Sequence, residues 1–281
     1  MKDYKFTVYS TKMILPDVLE LRLNLENDTM PQIVAGQFVH LSIPNTDNML
    51  RRPFCLYKWD KKTISLLIHI VGSGTKKLAQ LKKSDIIYGI MPIGNGFTIS
   101  AKQKKIALVG GGIGVAPLLM VPNSCLGREA DTIAFSGKSV MQIKKTIKGT
   151  EIRSYLGFTT KARTILSTGF SGVSEKLTIT TDDGTHGTKG YPTDALEKDI
   201  EAGFVPDVIL CCGNHALVKA VKNLCQKHNI EGFMTGEERM GCGIGACLVC
   251  TCNIKKHGSD TIEKKRACID GPVFNLSEVQ L

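Results

Sequence analysis

Apolar and polar residues alternate through much of the first hundred positions. Leu19, Leu21, Leu23 and Leu25 interleave with Glu20, Arg22 and Asn24; Val39, Leu41 and Ile43 form a second set, and Ile64, Leu66, Ile68 and Ile70 a third. A period of two predicts half-buried strands. The Pro, Gly, Asn and Asp residues between the sets predict the tight connections of an antiparallel β-barrel over residues 1–101. Around Ala101 to Gln103 the pattern changes. Lys105 to Val109 reads as a fresh strand, running into Gly110-Gly111-Gly112-Ile113-Gly114 and then Val115 to Leu118 as the start of a helix. Further strands are expected near Ser154 to Phe158, at Leu177 to Thr181 and at Val208 to Cys212. After the last of these, Leu217, Ala220, Val221 and Leu224 fall at helical spacing, with Asn214 suited to cap the helix. Strands alternating with helices predict a parallel α/β sheet over 102–231, its ligand crevice outside the carboxyl ends of the strands. Residues 232–281, after that sheet closes, are expected to form a third, small domain.

The third domain carries the most specific chemical signal. Cys242, Cys247 and Cys250, answered by Cys268, follow the C-x4-C-x2-C…C spacing of plant-type [2Fe-2S] ligands. Gly241, Gly243 and Gly245 suit a backbone that wraps an inorganic group at positive φ. Four thiolates also hold structural zinc, and buried free cysteines are a third reading, so the spacing alone leaves the metal open. Upstream, Arg51 and Arg52 stand beside Pro53, Phe54, Cys55 and Tyr57, an interruption of the barrel that offers guanidinium forks and an aromatic face. Val71-Gly72-Ser73-Gly74-Thr75 joins a strand to a helix start. Each alone reads as a surface pair or a turn; together on one barrel they favour an FAD site. Gly110, Gly111, Gly112 and Gly114 suit a dinucleotide pyrophosphate. Cys212 is either a small buried residue closing a strand or a neighbour of the nicotinamide. Lys161 and Arg163, just past the second strand of the sheet, either meet a 2′-phosphate or are solvated. Asp182, Asp183 and His186 lie in a loop that turn chemistry explains, and no acid–base role is assigned to them.

Composition narrows the class. The 281 residues are 42% hydrophobic, enough for real cores. The formal charge of +10 comes from scattered lysine pairs, with one Trp in the chain, so no basic stripe interleaved with aromatics points to nucleic acid. The longest apolar run, Ile106 to Val121, contains glycines and a proline and reads as a strand turning into a helix rather than a membrane span. The opening Met-Lys-Asp-Tyr-Lys lacks the apolar core of a signal peptide. With ten cysteines, four of them grouped as metal ligands, the expected compartment is the reducing cytoplasm.

Arg52-Pro53-Phe54-Cys55, Gly74-Thr75, Gly94-Asn95-Gly96-Phe97, Gly110 to Leu118, Leu156-Gly157-Phe158, Thr181 to Gly190, Cys212-Gly213 and Glu237 to Cys242 together resemble the electron transfer subunits of class B dihydroorotate dehydrogenase, in the ferredoxin-NADP reductase superfamily. The resemblance implies an FAD barrel, an NAD domain and a C-terminal [2Fe-2S] domain. By it, Arg52 meets the FAD pyrophosphate, Phe54 and Cys55 lie along the isoalloxazine, and Pro53, Leu67, Ile68, His69, Gly74 and Thr75 complete the FAD contacts. It further implies an FMN-containing catalytic partner in a two-plus-two heterotetramer, and NAD rather than NADP. A (β/α)8 barrel for FMN takes about 250 residues. None fits beside three domains, so the chain is expected to be inactive on dihydroorotate alone. Cys55 replaces the usual Ser or Thr, His69 lies in a segment that often carries Arg nearby, and Asn214 replaces a proline. Met120 to Arg153 departs most, with Pro122, Asn123, Ser124 and Gly127 breaking the expected first helix. The competing expectations are a flavin subunit of another oxidoreductase, such as sulfide dehydrogenase or NADH-dependent ferredoxin:NADP+ oxidoreductase, and a zinc-stabilised binding module without enzyme activity.

Overall fold

The computed structural model describes residues 1–44, 50–122, 149–236, 239–255 and 261–281. Six antiparallel strands close into a barrel in the order β1 (Lys2–Leu15), β2 (Val18–Leu25), β5 (Thr63–His69), β4 (Arg52–Trp59), β3 (Phe38–Leu41), β6 (Ile86–Ile93). Alternation does the work expected of it in β2, where Leu19, Leu21, Leu23 and Leu25 are buried and the residues between them only partly so. One difference from the sequence reading concerns the segment around Arg52. It does not interrupt the barrel but is strand β4, paired with β3 from Phe38↔Cys55 to Leu41↔Arg52. Phe54, Tyr57 and Trp59 supply β-forming side chains; Leu56 is buried inside the barrel and Tyr57 in the core against the second domain. A short helix α1 (Ser73–Ala79) follows β5.

The second domain is a sheet in the order β10 (Thr188–Lys189), β9 (Lys176–Thr181), β8 (Glu151–Phe158), β7 (Lys105–Gly111), β11 (Val208–Cys212), β12 (Glu231–Thr235), β15 (Val273–Asn275), parallel except for β15. Its central strands are buried, β7 from Ile106 to Gly110 and β11 throughout, as helices on both faces require. Helices α2 (Ser167–Val173), α3 (Pro192–Glu201) and α4 (His215–His228) supply the crossovers. Asn214 caps α4 as expected, its Oδ1 accepting the Leu217 N–H at 2.9 Å. After the glycine turn the chain forms a 3-10 turn, Gly112–Leu118, rather than α-helix, with Pro117 inside it. The segment 123–148, which carries most of the expected departure, lies outside the described residues, as do Glu237 and Glu238.

The sheet continues past residue 231 through Thr235 and takes its edge strand β15 from the last stretch of the chain. Between them lies the cysteine segment and a hairpin, β13 (Thr251–Lys255) with β14 (Ile262–Arg266). Barrel and α/β domain share one apolar core: Val18, Ala35, Tyr57, Leu67 and Phe97 pack in the same cluster as Ile106, Leu108, Val115 and Leu156. No helix among the described residues is long and apolar enough to cross a membrane.

Candidate cofactor and cluster sites

Two tight loops bring the four cysteines together as two pairs. The Cys242 and Cys247 thiols exchange backbone contacts, with Cys242 N–H reaching Cys247 Sγ at 3.3 Å and Cys247 N–H reaching Cys242 Sγ at 3.4 Å. Ile244 N–H adds a third contact, to Cys242 Sγ at 3.4 Å. The buried Cys250 and Cys268 thiols lie 3.3 Å apart, too far for a disulfide. Positive φ at Gly243 (71°) and Gly245 (83°) turns the loop, and a Cβ on Gly241 would sit 3.0 Å from Cys247 Sγ. Burial pushes the Cys242 thiol up, but the N–H groups of Ile244 and Cys247 outweigh it and bring it down to about 6. Burial, reinforced by the neighbouring Cys250 thiol, pushes Cys268 up to about 12.

This donor set fits a two-iron cluster. Each iron of a [2Fe-2S] centre completes its tetrahedron with two thiolates, and the thiols here come as two twos.

The buried cysteine pair sits against the barrel. Phe38, Ile93, Cys250, Ala267 and Cys268 form one apolar cluster, and Phe38 is the strand partner of Cys55. His40, two residues on, is fully buried beneath the loop: a Cβ on Gly243 would come within 2.4 Å of its Nδ1, and neither ring nitrogen has a partner among the described residues. Asn95 fastens the two domains. Its amide donates to the carbonyls of Asp270 (3.2 Å) and Val273 (3.0 Å), and its Oδ1 accepts the Val273 N–H at 2.9 Å. Neither Phe38 nor His40 was singled out by sequence, because only the fold places β3 under a loop two hundred residues away; Asn95 stood in a motif without an assigned contact.

On the barrel, the arginine pair divides. Arg51 is held bidentately by Asp3 at 2.9 and 2.7 Å. Arg52 instead donates to the carbonyls of Leu50 and Arg51 and lies against the first turn of α1, where a Cβ on Gly74 would sit 3.7 Å from its Nε. The Thr75 hydroxyl accepts the N–H groups of Val71 (3.0 Å) and Gly72 (3.1 Å), shaping that turn. Arg52, Gly74 and Thr75 are thus brought together. Pro53, Phe54 and Cys55 run beside them on β4, half-buried. Leu67 and Ile68 are buried, Leu67 in the shared core and Ile68 inside the barrel. Tyr57 is no stacking face; it is buried, with its hydroxyl donating to Glu20.

A cavity of about 720 Å³ opens between barrel and sheet at the carboxyl ends of the parallel strands. Gly111, Gly112 and Gly114 line it together with Gly213 and Asn214. Gly110 does not; a Cβ there would meet Val115 at 2.9 Å, so it serves close packing. Gly114 lets the turn approach β11, where a Cβ would lie 2.8 Å from the Cys212 carbonyl oxygen. Cys212 itself is buried in the core and absent from the lining. His69 lines the cavity from the barrel side, with Arg163 and Asp182 opposite. Asp183 does turn chemistry, accepting the Thr185 N–H at 2.9 Å and hydroxyl at 2.7 Å.

Comparison with known proteins agrees with this geometry. Residues 237–280 match the iron-sulfur cluster binding domain of dihydroorotate dehydrogenase B. The electron transfer subunit of dihydroorotate dehydrogenase B (NAD(+)) from Streptococcus mutans is 34% identical over 98% of this chain and 97% of its own length. Those of Clostridium acetobutylicum (33%, over 100% and 99%) and a Geobacillus species (35%, over 100% of both) are similar throughout. Among solved structures, the NADH-dependent reduced ferredoxin-NADP oxidoreductase superposes with a TM-score of 0.78 at 22% identity, covering 98% of this chain and 89% of the other. The ferredoxin reductase-like fold of barrel and parallel sheet is thereby shown. With its full-length relatives at 33–35% identity, the chain belongs to the family of dihydroorotate dehydrogenase B electron transfer subunits.

Proposed function

We propose that this chain carries electrons from the FMN-containing catalytic subunit of a dihydroorotate dehydrogenase, through a [2Fe-2S] cluster on Cys242, Cys247, Cys250 and Cys268 and an FAD on the barrel, to NAD+ in the cavity. A [2Fe-2S] centre supplies one-electron exchange and a flavin joins it to two-electron hydride chemistry. The residues of the chain do the positioning. Arg52, beside Gly74 and Thr75, offers its guanidinium to a pyrophosphate, while Pro53, Phe54 and Cys55 border the flavin ring. His69, at the end of β5, lines the cavity beside them, and Gly111, Gly112 and Gly114 admit a second pyrophosphate close to the backbone.

The observation that carries this reading is the place of Phe38. It packs on the buried Cys250 and Cys268 and pairs in the sheet with Cys55, so the cluster segment and the flavin segment are separated by one strand. On the opposite side, Ile244, Leu248 and Val249 expose apolar side chains around Cys247, which is itself exposed. Such a rim suits a partner subunit. The assembly we infer is two copies of each subunit, working in the reducing cytoplasm.

Co-expression with a candidate FMN subunit tests the reading. The pair should co-purify at the mass of a two-plus-two tetramer and reduce NAD+ with dihydroorotate, whereas this chain alone should reduce dyes with NADH and leave dihydroorotate untouched. Purified chain without flavin absorbance or NADH-driven dye reduction contradicts it.

A further inference from the structure

Arg163 stands at the rim of the cavity, in the first turn after β8, where a guanidinium would be well placed to grip a 2′-phosphate. It is already engaged. Asp17, from the turn joining β1 to β2 in the barrel, takes both of its terminal nitrogens: Nη2 donates to Oδ2 at 2.9 Å and Nη1 donates to Oδ1. His69 Nε2 lies 2.9 Å from the same Oδ2, so Asp17 is shared between a barrel residue and a sheet-domain residue, both of which line the cavity. The Arg163 guanidinium beside it holds the Asp17 carboxyl well below the usual range. Two further carboxylates line the cavity, Asp182 directly after β9 and Asp194 in the first turn of α3. Neither has an ionic partner among the described residues, although Asp194 accepts the Tyr191 N–H at 3.4 Å.

The cavity rim therefore presents two carboxylates and one guanidinium whose charge is matched by a third carboxylate. A ribose 2′-hydroxyl, which can donate to a carboxylate, suits that rim; a 2′-phosphate, a dianion needing a free cation, does not. We propose that Asp17 is a specificity-determining residue: by holding Arg163 it withdraws the cation that would read a 2′-phosphate, and so sets the preference for NAD over NADP. Asp17 acts here as a positioning residue, through Arg163 and from the opposite domain. The inference rests on the reading of the cavity as the dinucleotide site.

The alternative is that the pair only fastens barrel to sheet, in which case its loss would affect both dinucleotides alike. Dye reduction by the flavin-loaded chain with NADH and with NADPH separates the two. Asp17→Asn should raise kcat/KM for NADPH relative to NADH by about tenfold, the worth of one charge-assisted hydrogen bond. The gain should appear in the KM for NADPH. Asp17→Glu should keep the parent ratio, and adding Arg163→Gln to Asp17→Asn should abolish the gain. An unchanged NADPH-to-NADH ratio in Asp17→Asn, or a gain that survives loss of Arg163, would overturn the proposal while leaving the NADH reading intact. Absence of NADH-driven dye reduction in the unaltered chain would overturn the cavity reading itself and the proposal with it.

Discussion

Gly243 shows how closely single residues in the cysteine loop are constrained. It holds φ at 71°, and any Cβ there would meet the buried His40 ring at 2.4 Å. Replacement by Ala should cost about 1–2 kcal/mol in backbone strain alone, before His40 is displaced. Gly243→Ala is therefore expected to lower iron and acid-labile sulfide per chain severalfold while flavin content holds, read by metal analysis against flavin absorbance. The four cysteines proposed as ligands stood out in the sequence because the spacing of Cys242, Cys247 and Cys250 is local. So was the Asn214 cap, which concerns one turn of backbone. Phe38 and His40 were legible only as strand residues, since their contacts to Cys250 and Gly243 exist only once β3 lies under the loop. Arg51 and Arg52 read alike in sequence and differ in the fold, because Asp3 on β1 claims only the first.

Among the elements, β8 and α3 are tied by one carboxylate. Asp199 accepts from Tyr155 Oη at 2.7 Å, Arg153 Nη1 at 3.0 Å and Lys176 Nζ at 2.7 Å, joining helix to two strands. Burial pushes this carboxyl up, but the bonds from Lys176, Tyr155 and Arg153 outweigh it and hold it below 3.8. A group depressed in the folded state stabilises above its unfolded value and loses that contribution as pH falls through the folded one. Asp199→Asn should thus cost about 2 kcal/mol near neutral pH. In urea unfolding, the gap between variant and parent should narrow as pH falls below 3.8. The strands with clean patterns, β2, β5, β7 and β11, were visible beforehand. Strand β15, three residues long, was not, because its place is set by pairing with β12 rather than by periodicity. The 3-10 turn at Gly112–Leu118 was expected as helix; Pro117 removes the N–H that an α-helix would use there.

Across the whole molecule, three domains interlock. The sheet takes its edge strand from beyond the cysteine segment, and Asn95 at the end of the barrel holds Val273 at the start of that strand. Asn95→Ala removes three hydrogen bonds, one of which satisfies the partly buried Val273 carbonyl, and should cost about 1–3 kcal/mol. The expected sign is faster amide exchange in residues 261–281 with the barrel strands unchanged. The order of the domains was readable from changes of period along the chain. Their interlocking was not, since the return of β15 and the shared core around Tyr57 and Val115 depend on contacts between distant segments.

The central claim is that electrons from the partner subunit enter through the cysteine loop and leave at the flavin and dinucleotide. Its most direct test is Cys247→Ser in the complex with the FMN subunit, assayed with dihydroorotate and NAD+ and, separately, with NADH and a dye. The account predicts loss of the first activity with most of the second retained; survival of both, or equal loss of both, would contradict it.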